Sequence, residues 1–346
     1  MKGLSNLGNT CYLNFILQIL FNTPGFREKF KHYMKKSDHP LYPTVRLFFE
    51  LMECYHQPDT EDKELRQALL RFVQSFHQSY IQFGFGQQDG QEYLMFLIRA
   101  IHDSNHRVLY VVPVPKNPAL VQQAFESHRV DGSSTTELML NAKGADPTAC
   151  YDSVIFNMFC GQYQYQTQCR NPECKYVSNR FDSFKGCELP IGNTDKQTIS
   201  LYDVLDEFTS VTELEDIPDE FYECDRCKVR TRSLRCCTFW RLPQVLIISL
   251  KRLVQHVENG QFRVLKDDRQ VQIPDTLDLS KYCSAPGEGT QYRLYATGNH
   301  LGAPQGGHYY AQIKDADGNW NIVNDEKIQS GHGPPDHIYM LFYYRI

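Results

Sequence analysis

The chain has 346 residues, 41% of them hydrophobic and 22% charged, and a formal net charge of −5. This length allows one large domain with several lobes, and the negative charge gives no support to a nucleic-acid partner. No apolar run reaches the roughly 18 residues that span a bilayer, and residues 12–21 carry Asn14 and Gln18 and lack a signal-peptide cleavage site. We therefore expect no membrane insertion. Twelve cysteines without a secretory leader indicate an intracellular, reducing compartment, the cytoplasm or the nucleus.

The first hundred residues predict a mostly helical lobe. Apolar side chains recur at helical spacing from Cys11 to about Phe30, and Pro24 and Gly25 interrupt the pattern. Three further helices are predicted in TVRLFFELMECYH, EDKELRQALLRFVQSFHQ and QEYLMFLIRAIH, the last of them after the turn-like FGFGQQDG. The Pro-rich and polar region from about 103 to 151 predicts a surface insertion.

From about residue 153 onward the pattern changes to β-strands. The segments QYQYQTQC, YRLYA and HYYAQIK alternate between apolar and polar residues, and VLIISL is a short run typical of a buried strand. Helices first and strands later predict the α+β class rather than alternating α/β.

Cys11 stands where a loop rich in Gly and Asn meets the first helix. A helix start favours a thiolate, and Asn6, five residues earlier, is placed to offer an amide N–H to an oxyanion. A cysteine nucleophile needs such features together with a base. Taken alone, these residues favour a half-buried structural cysteine at a helix start.

His308 is the histidine whose surroundings suit a catalytic base. It follows two glycines, which allow close approach of a substrate backbone, and it opens a strand that returns after the turn DADGN. The midpoint between His308 and Asn324 falls at Ala316, so we predict that the two side chains lie near one another on the same face of a hairpin. Asn324 is then placed to orient the imidazole, whereas Asp325 would point to the opposite face of an ideal strand.

Three stretches resemble the Cys, Gln-Asp and His boxes of the ubiquitin-specific protease family: GLSNLGNTCYLN, GQQDGQEYLMFLI and GGHYYAQIKDADGNWNIVNDEKI. This family consists of deubiquitinating cysteine proteases of the papain-like class. The resemblance covers essentially the whole chain, with the boxes in the family's order. It implies a single catalytic domain over 1–346, with a helical thumb (1–152, including the insertion), β-rich fingers (153–240) and a β-rich palm (241–346).

The resemblance also implies roles for individual residues. Cys11 would be the nucleophile, His308 the general base, Asn324 its orienting partner and Asn6 the oxyanion-hole residue, and Asp325 would match a second acidic position. The residues implied to bind the C-terminal tail of ubiquitin are Gln88, Asp89, His300 and Tyr309. Carboxylates suit the Arg side chains of that tail, and a narrow cleft suits its terminal glycines. We expect ubiquitin or ubiquitinated proteins as partners, and a monomer.

Two close cysteine pairs predict a structural zinc site. CRNPEC supplies Cys169 and Cys174, and CDRC supplies Cys224 and Cys227, a set that suits a tetrahedral Cys₄ centre between two hairpins. Members of the family often carry such a site at the tip of the fingers. Competing ligands are Cys236 and Cys237, although the strand-like RSLRCCTFW favours core and surface positions for them, and four unmetallated core thiols remain an alternative.

Three other functions remain open at this point. One is a catalytically weak ubiquitin-binding scaffold, which the presence of Cys11, His308 and Asn324 disfavours. The second is a protease for another ubiquitin-like modifier with a diglycine end. The third is a zinc-ribbon nucleic-acid binder, which the net negative charge disfavours despite the locally basic KVRTRSLR.

Overall fold

The computed structural model describes residues 1–84, 86–105, 107–111, 149–192, 197–214, 222–258, 261–284, 289–303, 306–334 and 337–346. Most of the insertion predicted for 103–151 therefore lies outside the described residues. Within the described ranges, none of the helices combines the length and the apolar character needed to cross a membrane.

The helices fall mainly in the first third of the chain. They are α1 (Cys11–Phe21), α2 (Phe26–Tyr33), α3 (Tyr42–His56), α4 (Asp62–Ser79), α5 (Gly90–Asn105), α6 (Val154–Phe159) and α7 (Leu201–Phe208). The continuous pattern from Cys11 to Phe30 forms two helices because Gly25 adopts a left-handed φ of 70° at the start of α2. The short helices α6 and α7 were not predicted. α7 begins with a capping box between Ser200 and Asp203.

The strands occupy most of the remaining described chain. They are β1 (Arg107–Val111), β2 (Ala149–Asp152), β3 (Gly161–Cys169), β4 (Val177–Phe184), β5 (Cys187–Pro190), β6 (Thr198–Ser200), β7 (Thr212–Leu214), β8 (Tyr222–Glu223), β9 (Arg230–Thr231), β10 (Ser233–Arg241), β11 (Val245–Lys251), β12 (Leu253–Glu258), β13 (Gln261–Lys266), β14 (Gln270–Gln272), β15 (Thr276–Asp278), β16 (Gln291–Ala303), β17 (Gly306–Lys314), β18 (Trp320–Asn324), β19 (Lys327–Ser330) and β20 (Ile338–Arg345). This arrangement confirms the α+β prediction.

An eight-stranded sheet is the largest sheet among the described residues. Its strands run in the order β19-β18-β17-β16-β20-β11-β5, and β15 also pairs with β16. All of its pairings are antiparallel except that of β11 with β5. A four-stranded sheet, β4-β3-β10-β7, extends toward the two cysteine-bearing loops.

The large sheet separates two hydrophobic cores. Successive side chains of a single strand point to opposite faces of the sheet and so contribute to both cores. On β11, Val245 and Ile247 join the core formed with the helices, whereas Leu246 and Ile248 join the core on the opposite face. A strand covered on both faces is apolar at successive positions, which explains the run VLIISL.

Helix α1 joins the helical lobe to the large sheet. All eleven of its residues are buried. The ring of Phe15 stacks on Tyr309 of β17 at a centroid distance of 5.1 Å and an interplanar angle of 7°, and Cβ atoms added at Gly90 or Gly298 would collide with the same ring. The close approach of α5 and β16 to Phe15 therefore requires glycine at both positions.

The boundaries of the thumb, fingers and palm stay a prediction. Helix α6, which lies just inside the segment predicted as fingers, packs against α2 and α5. Its buried residues Val154, Ile155, Met158 and Phe159 belong to the core formed with the helices.

Candidate active site

Cys11 is the first residue of α1, and its side chain is only 4% exposed. Burial raises the pKa of the Cys11 thiol, a hydrogen bond from the Tyr309 backbone N–H opposes this rise, and the negative charge of Asp325 adds to it. Desolvation therefore opposes the thiolate that a helix start favours. That Cys11 is activated as a thiolate stays a prediction.

His308 and Asn324 lie together on the β17–β18 hairpin. The His308 Nε2 is 2.6 Å from the Asn324 Oδ1. The amide oxygen accepts the imidazole N–H, which leaves Nδ1 as the basic nitrogen. The hairpin register pairs Ala311 with Val323, so His308 and Asn324 are diagonal neighbours on one face.

The centre of this hairpin differs from the prediction. The observed register centres the turn on Asp317 rather than on Ala316. The Asp315 carboxylate accepts the backbone N–H groups of Asp317 and Asn319 at 3.0 and 2.9 Å, which organises a five-residue loop. A slip of two residues leaves every side chain on its predicted face.

Asp325 lies just beyond the end of β18. It adopts a φ of 49°, so the ideal strand assumed in the prediction does not extend to this residue. Its Oδ2 accepts from Asn6 Nδ2 at 2.9 Å, and its Oδ1 accepts from Asn14 Nδ2 at 2.7 Å. The carboxylate thus bridges the loop before Cys11 and the first helix.

Asn6 is held at both ends of its amide group. Its Oδ1 accepts from the backbone N–H of Gly8 at 2.9 Å and of Thr10 at 3.3 Å, while its Nδ2 donates to Asp325. An amide has two N–H donors. The contact with Asp325 uses one of these two hydrogens.

A cleft lies beside this cluster and contains all four residues implied to bind substrate. It is lined by Gln87, Gln88, Asp89, Arg252, Leu253, Lys266, His300, Gly306, Tyr309 and Tyr339. Asp89 accepts from the Tyr339 hydroxyl at 2.7 Å and from the Glu92 backbone N–H at 2.9 Å, at the start of α5.

Aromatic and cationic side chains form one wall of the cleft. The ring of His300 packs on Tyr309 at a centroid distance of 4.5 Å, and burial lowers the pKa of His300. Lys266 donates to the carbonyl oxygens of His300 and Gly302 at 3.1 Å each, which ties the β12–β13 hairpin to the end of β16.

Gln87 makes a contact with the backbone of Gly307 that the sequence did not predict. Its side-chain amide donates to the Gly307 carbonyl and accepts from the Gly307 N–H. Gly307 itself has no room for a side chain, because an added Cβ would collide with the Leu301 carbonyl oxygen and the His300 ring. Gln87 and Gly307 together fix the strand immediately before His308.

The four predicted metal-binding cysteines come together at the end of the four-stranded sheet. The sulfur atoms of Cys169, Cys174, Cys224 and Cys227 all lie within 4.8 Å of one another. The Cys169–Cys227 and Cys174–Cys224 sulfur distances are 3.9 and 3.8 Å. Four sulfurs around zinc at about 2.3 Å would be roughly 3.8 Å apart.

Each of the two cysteine loops ends in a lysine with a positive φ. Lys175 follows Cys174 with a φ of 47°, and Lys228 follows Cys227 with a φ of 57°. Backbone hydrogen bonds from Cys227 and Arg226 lower the pKa of Cys224 to about 7, whereas burial raises the pKa of Cys169 to about 12. It is the spacing of the four sulfur atoms that fits a tetrahedral zinc ion. Cys237 lies in the second core and Cys236 is half-buried on β10.

Comparison with known proteins identifies the family. The sequence model described as "Ubiquitin carboxyl-terminal hydrolase" matches residues 2–343. The chain belongs to the ubiquitin carboxyl-terminal hydrolase family. This finding confirms the resemblance seen in the three boxes.

Relatives from this family align over almost the full length of the chain. Ubiquitin carboxyl-terminal hydrolase 2 of Rattus norvegicus is 30% identical over 353 residues, covering 99% of the chain and 54% of the relative. The protein of the same name in Gallus gallus is 30% identical, and the alignment covers 99% of the chain and 93% of that relative. The chain thus spans about half the length of the mammalian relative and nearly all of the avian one.

Solved structures share the hydrolase fold. A SAGA DUB module (Ubp8/Sgf11/Sus1/Sgf73) bound to monoubiquitin matches with a TM-score of 0.76 and 24% identity, covering 100% of this chain and 69% of the other. The same module bound to ubiquitin aldehyde matches with a TM-score of 0.75 and 22% identity, covering 100% and 70%. These likenesses confirm the papain-like α+β fold expected from the resemblance.

Proposed function

We propose that this ubiquitin carboxyl-terminal hydrolase chain is a cysteine-type deubiquitinase that cleaves the bond after the C-terminal glycine of ubiquitin. The observation that carries the proposal is the meeting of α1 with the β17–β18 hairpin. Cys11 accepts a backbone hydrogen bond from Tyr309, the residue after His308, and His308 is hydrogen-bonded to Asn324. Nucleophile, base and orienting amide are therefore supplied by two contacting elements.

The reaction begins with proton transfer from the Cys11 thiol to His308. The sulfur attacks the glycine carbonyl carbon, and the resulting oxyanion accepts an N–H from Asn6. The C–N bond to the leaving amine breaks as His308 returns the proton to that nitrogen. The product is a thioester between Cys11 and the ubiquitin tail.

Hydrolysis of the thioester completes the cycle. His308 accepts a proton from water, the water oxygen attacks the thioester carbonyl, and the C–S bond breaks. The C-terminal carboxylic acid of ubiquitin leaves and loses its proton to solvent, and the Cys11 thiolate regains its proton from His308. Asn324 keeps the same His308 nitrogen available through both steps.

The cleft beside Cys11 suits the tail of ubiquitin. The Asp89 carboxylate provides an anionic group for an arginine of the tail. The lack of space at Gly307 and the stacked pair of His300 and Tyr309 suit a substrate that ends in glycines. We propose that Gln88, Asp89, His300 and Tyr309 bind this segment, and that Cys169, Cys174, Cys224 and Cys227 hold a structural zinc ion remote from the chemistry.

The proposal is tested with ubiquitin that carries a C-terminal vinyl methyl ester. We expect a single covalent adduct on Cys11, located by peptide mass spectrometry, and no adduct with the Cys11→Ser variant. The Cys54→Ser variant is the matched control, since Cys54 is a half-buried free cysteine on α3. Folded protein that forms no adduct, or forms it on another cysteine, contradicts the proposal.

The same electrophile distinguishes ubiquitin from other modifiers. Ubiquitin-like proteins that end in two glycines are given the same vinyl methyl ester and compared with ubiquitin by labelling rate. We expect faster labelling by ubiquitin. A faster reaction with another modifier would keep the chemistry at Cys11 but change the substrate.

A further inference from the structure

Two buried amides on α1 contact the turn that follows β18. Asn14 and Gln18 are both 0% exposed. They lie three and seven residues after Cys11, so all three side chains share one face of the helix. The face that carries the nucleophile thus carries two polar groups within an otherwise apolar core.

Both amides donate hydrogen bonds to Asp325. Asn14 Nδ2 donates to Asp325 Oδ1 at 2.7 Å and also approaches the carbonyl oxygens of Leu4 and Ser5 at 3.4 and 3.3 Å. Gln18 Nε2 donates to the Asp325 carbonyl oxygen at 2.9 Å. The Leu4 backbone N–H donates to that carbonyl at 2.9 Å as well.

These contacts hold a residue in an uncommon backbone conformation. The φ of Asp325 is 49°, a region that non-glycine residues enter only when their surroundings impose it. Asn14 and Gln18 are part of those surroundings. The orientation places Asp325 Oδ2 at 2.9 Å from Asn6 Nδ2.

Burial of the two amides carries a cost in stability. Within the described residues, Asn14 Oδ1 and Gln18 Oε1 are buried and have no hydrogen-bond partner. A buried acceptor without a partner is unfavourable, and an apolar side chain would avoid that cost. Stability alone therefore does not explain these two residues.

We propose that Asn14 and Gln18 are positioning residues that act on the oxyanion-hole residue Asn6 through Asp325. This inference rests on the proposed function. Asn14 aligns one carboxylate oxygen, the second carboxylate oxygen aligns the Asn6 amide, and Gln18 fixes the backbone at the same turn. Helix α1 thereby sets the direction of both the nucleophile and its oxyanion donor.

Steady-state kinetics with a ubiquitin C-terminal fluorogenic amide test this inference. We expect the Asn14→Ala variant to lose roughly 10-fold in kcat, less than the 10²–10³ typical of removing an oxyanion donor outright. The KM of Asn14→Ala should stay within about 2-fold of that of the unchanged chain, because the tail-binding cleft is untouched. For the same reason, the double variant Cys11→Ala, Asn14→Ala should bind ubiquitin within about 2-fold of the affinity of Cys11→Ala alone. Gln18→Ala should also lower kcat, by a smaller factor, and leave KM unchanged.

A double-mutant cycle separates positioning from a general structural effect. If Asn14 acts through Asn6, adding Asn14→Ala to the Asn6→Ala variant should cost no further activity. Additive losses in kcat would overturn the inference. The matched control is Asn105→Ala, which removes another buried helical asparagine with an unpartnered Oδ1, at the end of α5. We expect this control to retain the kcat of the unchanged chain.

Two further outcomes are decided by the same measurements. If Asn14→Ala does not fold, the isosteric Asn14→Asp variant replaces it, since its carboxylate would repel Asp325, and unchanged kcat in that folded variant would overturn the inference. If the unchanged chain does not cleave the ubiquitin amide, the proposed function fails. If it does cleave the amide and folded Asn14 and Gln18 variants keep full kcat, only the positioning inference fails.

Discussion

Four non-glycine residues in the described part of the chain have a positive φ angle: Asn9, Lys175, Lys228 and Asp325. Asn9 precedes Cys11 by two positions, and Asp325 directly follows Asn324. The two lysines each follow the second cysteine of a cysteine loop. Such conformations persist only where surrounding contacts impose them. In this protein they mark the proposed catalytic cluster and the proposed metal centre.

The charge of Asp325 predicts a measurable effect on Cys11. Since the Asp325 carboxylate raises the pKa of the Cys11 thiol, the Asp325→Asn variant should have a lower thiol pKa. The rate of alkylation of Cys11 by iodoacetamide, followed by peptide mass spectrometry, should then rise at lower pH than in the unchanged chain.

The neighbouring carboxylate serves as the control for that experiment. Glu326 is exposed and is not among the groups that shift the pKa of Cys11. Glu326→Gln should therefore leave the alkylation profile in place. An unmoved profile for Asp325→Asn would show that its charge does not reach the thiol.

At the scale of elements, the β17–β18 hairpin shows what alternation in a sequence can and cannot predict. The common face of His308 and Asn324 follows from their even separation, and the structure has it. The position of the turn does not follow, because a two-residue slip preserves every face. Side-chain contacts of Asp315 decide that slip, and these depend on the folded loop.

Long-range contacts explain the residues that sequence reasoning missed. Gln87 binds the backbone of Gly307, 220 positions away, and Asn14 binds Asp325, 311 positions away. Nothing in the local pattern around either residue indicates such a partner. The family boxes contain both residues, but only the tertiary structure shows what their amides contact.

The two cysteine loops predict a local response to loss of metal. Cys174→Ser should lower the zinc content from about one ion per chain to near zero, because a Cys₄ site needs four thiolates. Zinc is measured by elemental analysis of the folded protein. We expect the four-stranded sheet to lose protection from hydrogen exchange while α1 and the large sheet retain theirs.

Cys54→Ser is the control for the metal experiment as well, since it removes a thiol from α3. Its zinc content should equal that of the unchanged chain. A folded Cys174→Ser variant that keeps a full equivalent of zinc, or unchanged chain purified without any, would contradict the assignment of these ligands.

At the scale of the whole molecule, Phe15 connects the helical lobe to the large sheet. It contacts Tyr309 of β17 and the positions of Gly90 on α5 and Gly298 on β16. No sequence pattern distinguishes this phenylalanine from the other apolar residues of α1. Its importance follows from the three elements that meet around its ring.

Truncation of Phe15 should therefore affect both stability and activity. Phe15→Ala is expected to lower the free energy of unfolding by about 3–5 kcal/mol, measured by urea denaturation, and to lower kcat on the ubiquitin amide because α1 loses its contact with β17. Phe72→Ala is the matched control, since Phe72 is equally buried but packs against Phe48 and Phe76. It should lose similar stability with kcat retained. Equal kcat in the two variants would contradict the proposed coupling.

The distance along the chain between Asn6 and Asp325, 319 positions, has a consequence during synthesis. A ribosome that adds about 5–20 residues per second produces Cys11 first and needs roughly 15–60 s more to produce the hairpin with His308 and Asn324. Over that interval the nascent chain carries Cys11 and Asn6 without His308, the proposed base, and without Asp325, which accepts a hydrogen bond from the Asn6 amide. The proposed active site can therefore form only with the last strands, when nearly the whole domain is available to fold around the thiol.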